Sequence, residues 1–274
     1  MKIGVLQMTS GVSPDANATI LVDAVARSAA AGAEMLFTPE MSGLLDSDGQ
    51  RANLSIVTEN EDTVLARVRA AARDAGIWVH LGSLAVRHET GTRFSNRAFV
   101  IGSDGIVRAR YDKMHLFDVD LATGESWRES SRYIAGDAPT VVQTPVGVLG
   151  LAICYDVRFP SLFQALSNAG ATVLSVPASF TVPTGQAHWH VLLRARAIEN
   201  AAFVIASAQV GHHEDGRSTY GHSLVIDPWG NVLLDMGEKP GLAFAEIDQF
   251  AIEEVRRRIP VLRHRRPIDT VTSG

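Results

Sequence analysis

Val148-Leu149-Gly150-Leu151-Ala152-Ile153-Cys154-Tyr155-Asp156-Val157-Arg158-Phe159-Pro160 reads as an apolar strand, a sharp turn and the first residue of a helix. The helix continues through residues 160–168, and residues 172–176 form the next short apolar strand. A strand, a helix and a strand in succession imply a parallel pair. Upstream, the valines of the 140s and residues 148–153 flank Pro145-Val146-Gly147, which implies an antiparallel hairpin.

The same two signals recur outward in both directions. Residues 3–8, 35–38 and 77–86 read as strands. They alternate with helices at 15–31, opened by Pro14 and Asp15 and closed by Gly32, and at 61–75, stopped by Gly76. Residues 95–101 and 106–111 flank the turn Ser103-Asp104-Gly105. Later come a helix at 189–200, a strand at 203–208 and a hairpin around Asp227-Pro228-Trp229-Gly230-Asn231. A strand at 242–247 and a helix at 252–258 close the pattern. Hairpins together with strand–helix–strand units predict a mixed sheet, or two packed sheets, with outer helices.

No linker-like stretch or internal repeat divides the chain, so residues 1–267 are expected to form one α/β domain, with 268–274 a disordered end. The 274 residues are 46% hydrophobic and 20% charged, which excludes a disordered chain. With 25 basic and 30 acidic residues the net charge is −5, a poor balance for a nucleic-acid binder. The single cysteine excludes an intrachain disulfide and a multi-cysteine metal cluster. No apolar run is long enough to span a membrane, and the N-terminal run is too short for a signal segment. A cytoplasmic protein is expected.

Cys154 follows a strand rich in small residues and precedes a helix. A nucleophile on such a turn is exposed and sits near backbone N–H groups, which favours a thiolate. The competing reading is a buried structural thiol. Glu40, in Thr38-Pro39-Glu40, ends an apolar strand, where α/β proteins place their sites and where partial burial makes a usable base. Lys113, in Tyr111-Asp112-Lys113-Met114-His115-Leu116-Phe117-Asp118, also ends a strand, and an ammonium there can stabilise an oxyanion. Glu129, in Trp127-Arg128-Glu129-Ser130, carries little signal by itself.

A Glu, a Lys and a Cys at strand ends, in that order, resemble the nitrilase superfamily of carbon–nitrogen hydrolases. The resemblance runs from Lys2 to about Pro267 and rests on the three motifs quoted above around Glu40, Lys113 and Cys154. It implies a four-layer α-β-β-α sandwich, dimers or assemblies of dimers, and no metal or organic cofactor. Tyr155-Asp156 in place of a Trp-Glu pair is similar to the amidase branch of ω-amidases and deaminated-glutathione amidases. So are Thr184-Gly185-Gln186-Ala187-His188-Trp189, Arg194-Ala195-Arg196-Ala197-Ile198-Glu199-Asn200, Tyr220-Gly221-His222-Ser223 and Arg265-Arg266-Pro267. Ser161 departs from the branch, where a Glu commonly follows the proline.

The resemblance implies Cys154 as nucleophile, Glu40 as general base and Lys113 as oxyanion stabiliser. It implies the backbone N–H of Tyr155 as a second oxyanion donor and Glu129 as the residue that positions Lys113. The expected reaction is hydrolysis of a small ω-amide to a carboxylate and ammonia through a thioester. The first expected substrate is deaminated glutathione; α-ketoglutaramate or succinamate is the alternative. A catalytically silent binding protein on the same fold is a further alternative, against which the three retained residues speak. Arg158 is either a bidentate anchor for a substrate carboxylate or a structural ion-pair residue, Asp156 being one partner for it.

Other features read as structural. His188 and His190 lie two apart on a helix, so they point to different faces, and no HExxH pattern occurs, so no metal is expected. His212-His213 reads as a solvated loop pair. The basic run at 256–267 reads as a segment packed at a subunit contact or on an acidic face rather than a nucleic-acid arm.

Overall fold

The structure, a computed structural model, describes residues 1–88, 91, 93–120, 124 and 126–267. The expected disordered end at 268–274 lies outside the described residues. The first half of the chain runs β1 (Lys2–Gln7), α1 (Pro14–Ala30), β2 (Met35–Phe37), α2 (Gly49–Ser55), α3 (Thr63–Ala75), β3 (Trp78–Arg87), β4 (Phe94–Ile101), β5 (Val107–Asp112), β6 (Asp118–Asp120) and β7 (Ser126–Arg128). The second half runs β8 (Thr140–Thr144), β9 (Gly147–Leu151), α4 (Pro160–Asn168), β10 (Val173–Ser175), α5 (Val182–Asn200), β11 (Phe203–Ala206), β12 (Val210–His212), β13 (Ser218–Tyr220), β14 (Leu224–Ile226), β15 (Val232–Asp235), β16 (Gly241–Glu246), α6 (Gln249–Arg258) and α7 (Val261–His264).

Two six-stranded mixed sheets carry the architecture, ordered β16-β1-β2-β3-β4-β5 and β15-β14-β11-β10-β9-β8. Side-chain alternation along each strand assigns the layers. Ile3, Val5, Met35, Phe37, Ala98 and Val100 face the second sheet and join a core with Leu149, Leu151 and Val173. Their neighbours Leu6, Leu36, Phe99 and Ile101 turn the other way and pack on Leu21, Val25, Val64 and Val68 of α1 and α3. On the far side, Leu162, Phe163 and Leu166 of α4 and Trp189, Leu193 and Ala197 of α5 cover the second sheet. The result is the expected α-β-β-α sandwich, with a sheet–sheet interface at its centre. His80 of β3 crosses that interface to Ser175 Oγ of β10 at 3.2 Å.

Several boundaries depart from the sequence reading. α5 starts at Val182, not at residue 189, because Pro183 occupies the first turn, where its missing N–H costs nothing. Gly185 within it is required by packing: a Cβ there would lie 2.2 Å from the Tyr220 ring. α2 escaped notice because it is short, opens on a glycine and buries only Ala52; Asp48 caps it by accepting from the N–H of Gln50 at 2.9 Å. His213 is buried, not solvated, since its ring joins Ser10 O at 2.9 Å to Thr219 Oγ1 at 2.7 Å. The basic tail packs on its own chain. Arg265 donates to the carbonyls of Gln164 in α4 and Glu199 in α5, placing a cation near the C-terminal ends of two helices.

Candidate active site

Glu40, Lys113, Glu129 and Cys154 lie far apart in sequence and line one cavity of about 250 Å³. Each is placed by a specific piece of backbone. Glu40 follows β2 on a turn that crosses β3 where that strand's register shifts between Leu81 and Leu84. Gly82 sits under the crossing: a Cβ there would stand 2.0 Å from Thr38 O and 2.4 Å from Pro39 O. The bare backbone instead lets Gly82 N–H donate to Thr38 Oγ1 at 3.0 Å and Ser83 Oγ accept from Met41 N–H at 2.9 Å.

Cys154 has φ +49, a left-handed backbone that residues other than glycine seldom adopt. It opens a 3-10 segment, Cys154–Arg158, that leads directly into α4. The strained turn is held by Asp156, whose carboxylate accepts from the N–H of Ile153 at 2.8 Å, and by Cys154 N–H donating to Pro177 O at 2.9 Å. Strain maintained by surrounding bonds is typical of a site where one atom must be presented.

The polar groups interlock. Lys113 Nζ donates to Glu40 Oε1 at 3.0 Å and to Glu129 Oε2 at 2.9 Å, with all three side chains largely buried. Glu40 Oε2 accepts from Ser179 N–H at 2.7 Å, and Glu129 Oε2 from Phe117 N–H at 2.7 Å. Asn96 bridges the two glutamates from β4, at 2.8 Å to Glu40 and 3.2 Å to Glu129. The Cys154 thiol lines the same cavity, near enough to Glu40 and Lys113 for both charges to act on it. Asn96 and Ser179 were not anticipated; Asn96 stands between Ser95 and Arg97, so no local pattern singles it out.

The electrostatics differ from the sequence expectation at the thiol. Burial and the Glu40 charge push the Cys154 thiol well up, and Lys113 only partly opposes them, so the resting group is a thiol rather than a thiolate. Burial opposes the charge on Lys113, but Glu129 and Glu40 outweigh it and hold the ammonium firmly protonated. The arrangement therefore offers a protonated thiol beside a carboxylate and a fixed cation. Tyr155, next to Cys154, also lines the cavity.

Arg158 does not line the cavity. Its guanidinium reaches His188 Nδ1 at 3.3 Å and lies over the rings of Tyr155 and Phe180, at 5.8 and 5.4 Å from their centroids. Tyr155 and Phe180 themselves line the cavity, so Arg158 packs against two of its wall residues. Asp156 is not its partner either, being saturated by Tyr111, His115 and Ile153. The remaining cluster of metal-ligating type among the described residues is His190, His222 and Asp235, whose donor atoms lie within 4.8 Å of one another. None of the three lines the cavity. His188 and His190 do diverge, as their spacing implies.

The fold and this constellation define a cysteine-containing hydrolase site, and comparison with known proteins agrees. Residues 2–257 match the carbon–nitrogen hydrolase family model, and the chain belongs to that family. A deaminated glutathione amidase of Synechocystis is 43% identical over 270 residues, covering 95% of this chain and 96% of the relative. The C. elegans NitFhit protein superposes with a TM-score of 0.90 at 38% identity, covering 97% of this chain; the chain spans 65% of that fusion protein. The amidase of Nesterenkonia sp. AN1 superposes with a TM-score of 0.81 at 27% identity, covering 97% of this chain and 94% of the other. A mutant of that amidase was captured with the acetamide moiety of fluoroacetamide added covalently at its active-site cysteine.

Proposed function

We propose that this carbon–nitrogen hydrolase cleaves deaminated glutathione or a closely similar small ω-amide through a thioester on Cys154. The observation that carries the reading is the Glu40–Lys113–Glu129 network lining one cavity with a buried thiol. Glu40 takes the thiol proton as sulfur attacks the amide carbon, and delivers it to the nitrogen as the C–N bond breaks. Charge on the carbonyl oxygen is stabilised by Lys113 and the backbone N–H of Tyr155, each such donor contributing ~3 kcal/mol. Water, deprotonated by Glu40, then hydrolyses the thioester to the carboxylate. Glu129 holds Lys113 in place.

The relatives named deaminated glutathione amidase support that substrate, and an ω-amidase acting on α-ketoglutaramate is the second choice. The shared core across both sheets supports residues 1–267 as one catalytic domain. A homodimer through α5 and the β14–β15 hairpin is supported by exposed Val191, Ile198, Trp229 and Leu233 on those elements. A cytoplasmic location is supported by the need of a lone nucleophilic thiol for a reducing compartment.

Turnover of deaminated glutathione and α-ketoglutaramate by the purified protein tests the reading. Cys154→Ala and Cys154→Ser should abolish it with the fold retained, and mass spectrometry should find an acyl adduct on Cys154 alone. Retained turnover in Cys154→Ala would overturn the covalent mechanism.

A further inference from the structure

We infer that Arg132, in the lining of the cavity that holds Cys154, is the anchor for a substrate carboxylate; the inference rests on the amidase reading above. Three arginines line the cavity, and two are neutralised. Arg128 places Nη2 at 2.8 and 2.9 Å from the two oxygens of Asp120. Arg217 places Nε 2.7 Å from Asp215 Oδ2. Arg132 makes no side-chain hydrogen bond or ion pair with any described residue, and its Nη2 is buried without an acceptor. Its guanidinium rests over the Phe94 ring, 5.6 Å from the centroid, which supports the cation without neutralising it.

A partly buried cation without a counter-ion is costly unless an anion arrives. Guanidinium is also the side chain best matched to a carboxylate, through two parallel N–H donors. Trp127 Nε1 is a second buried donor in the cavity lining without an acceptor among the described residues. Arg158, for which a carboxylate anchor was one of two readings, lies on another segment and does not line the cavity.

The charges orient the substrate. At the Cys154 end, Lys113 is set against two carboxylates, Glu40 and Glu129, so a second anion there is repelled. The neutral amide therefore belongs at Cys154 and the carboxylate at Arg132. The spacing follows from the backbone. Arg132 closes the 3-10 turn Glu129–Ser131, with its N–H donating to Glu129 O at 3.1 Å. Three residues of 3-10 rise separate Glu129 and Arg132 by ~6 Å along the turn. Met41, Leu44, Ala52 and Ile56 add an apolar wall to the same cavity. The ligand class is a short linear amide whose apolar chain ends in a carboxylate several bonds from the scissile carbon. The new carboxylate released at Cys154 would face Glu40 and Glu129, which favours its departure.

The test is calorimetric binding of glutaramate and its neutral isostere glutaramide to Cys154→Ala, with and without Arg132→Gln. Arg132→Gln should weaken glutaramate ~100-fold and glutaramide less than threefold. If Arg132→Gln does not fold, Arg132→Lys, which keeps the charge and loses the fork, should still weaken glutaramate ~10-fold selectively. Equal losses for both ligands, or glutaramate binding no tighter than glutaramide before substitution, would overturn the assignment. Because binding is read without turnover, an absence of amide hydrolysis would defeat the proposed activity and leave this measurement decisive.

Discussion

The hydroxyl of Tyr111 lies 2.8 Å from Asp156 Oδ2 and ties the strand that leads to Lys113 to the turn that carries Cys154. Burial and the Asp156 charge keep the phenol far above its ordinary range, so Tyr111 acts as donor. Asp156 also accepts from Ile153 N–H, His115 N–H and His115 Nδ1. Tyr111→Phe should therefore cost about 1–2 kcal/mol, since it loses this bond and the longer one accepted from Met114 N–H at 3.4 Å while the carboxylate stays satisfied. Asp156→Ala leaves several buried donors unpaired and should cost ~3 kcal/mol or more. Urea unfolding of the two variants measures the difference; equal losses would show that Asp156 does not organise the turn.

The raised thiol separates electrostatics from proton transfer. Thiolate absorbance of the wild-type protein should be absent at neutral pH and emerge only in alkali, measured against Cys154→Ser. Glu40→Gln removes the nearby negative charge, so the thiol should titrate at lower pH than in the wild type. Turnover should nevertheless fall by a factor of ~100 or more, because the base is gone. Undiminished turnover in Glu40→Gln would exclude Glu40 as the proton carrier.

Lys113→Met should lower kcat by a factor of ~100 or more, through loss of a charged oxyanion donor. It also leaves Glu40 and Glu129 facing each other without a cation, so a fall in Tm accompanies it. Lys113→Arg should not restore turnover, because three convergent ammonium donors cannot be replaced by a planar fork in a buried site. Recovery of wild-type kcat with arginine would mean that charge alone matters at this position.

Gly82→Ala tests the seat of Glu40. The added methyl collides with the carbonyls of Thr38 and Pro39, so the turn must lift and carry Glu40 with it. We expect kcat to fall at least tenfold while Cys154 keeps its reactivity to iodoacetamide at high pH, where Glu40 is not needed. Unchanged kcat would show that the turn tolerates displacement.

His80 sets an acid sensitivity. Burial lowers its folded-state value from 6.5 to about 3, so the native ring is neutral. The unfolded chain binds the proton first, so this contribution is fully present above pH 6.5 and is lost as pH falls toward about 3. Within that window the slope from this residue is about 1.4 kcal/mol per pH unit. His80→Asn should flatten the decline of stability with acid, as followed by urea midpoints between pH 6.5 and 4.5.

Local signals were enough for much of this protein. Apolar runs of strand length, Pro and Gly punctuation and the 160–168 helix fixed the class of fold, because period and turn chemistry act over a few neighbours. Glu40, Lys113 and Cys154 were legible because each ends a strand within a distinctive motif. Long-range packing decided the rest. The Arg128, Arg132 and Arg217 side chains look alike in sequence, and only tertiary structure supplies aspartates to two of them and none among the described residues to the third. Arg158, four residues after the nucleophile, reaches His188 and lies over the rings of Tyr155 and Phe180. His213, read as solvated, is drawn inside by Ser10 and Thr219. The protonation of Cys154 likewise depends on burial and on a carboxylate 114 positions away in the chain, neither of which any local pattern encodes.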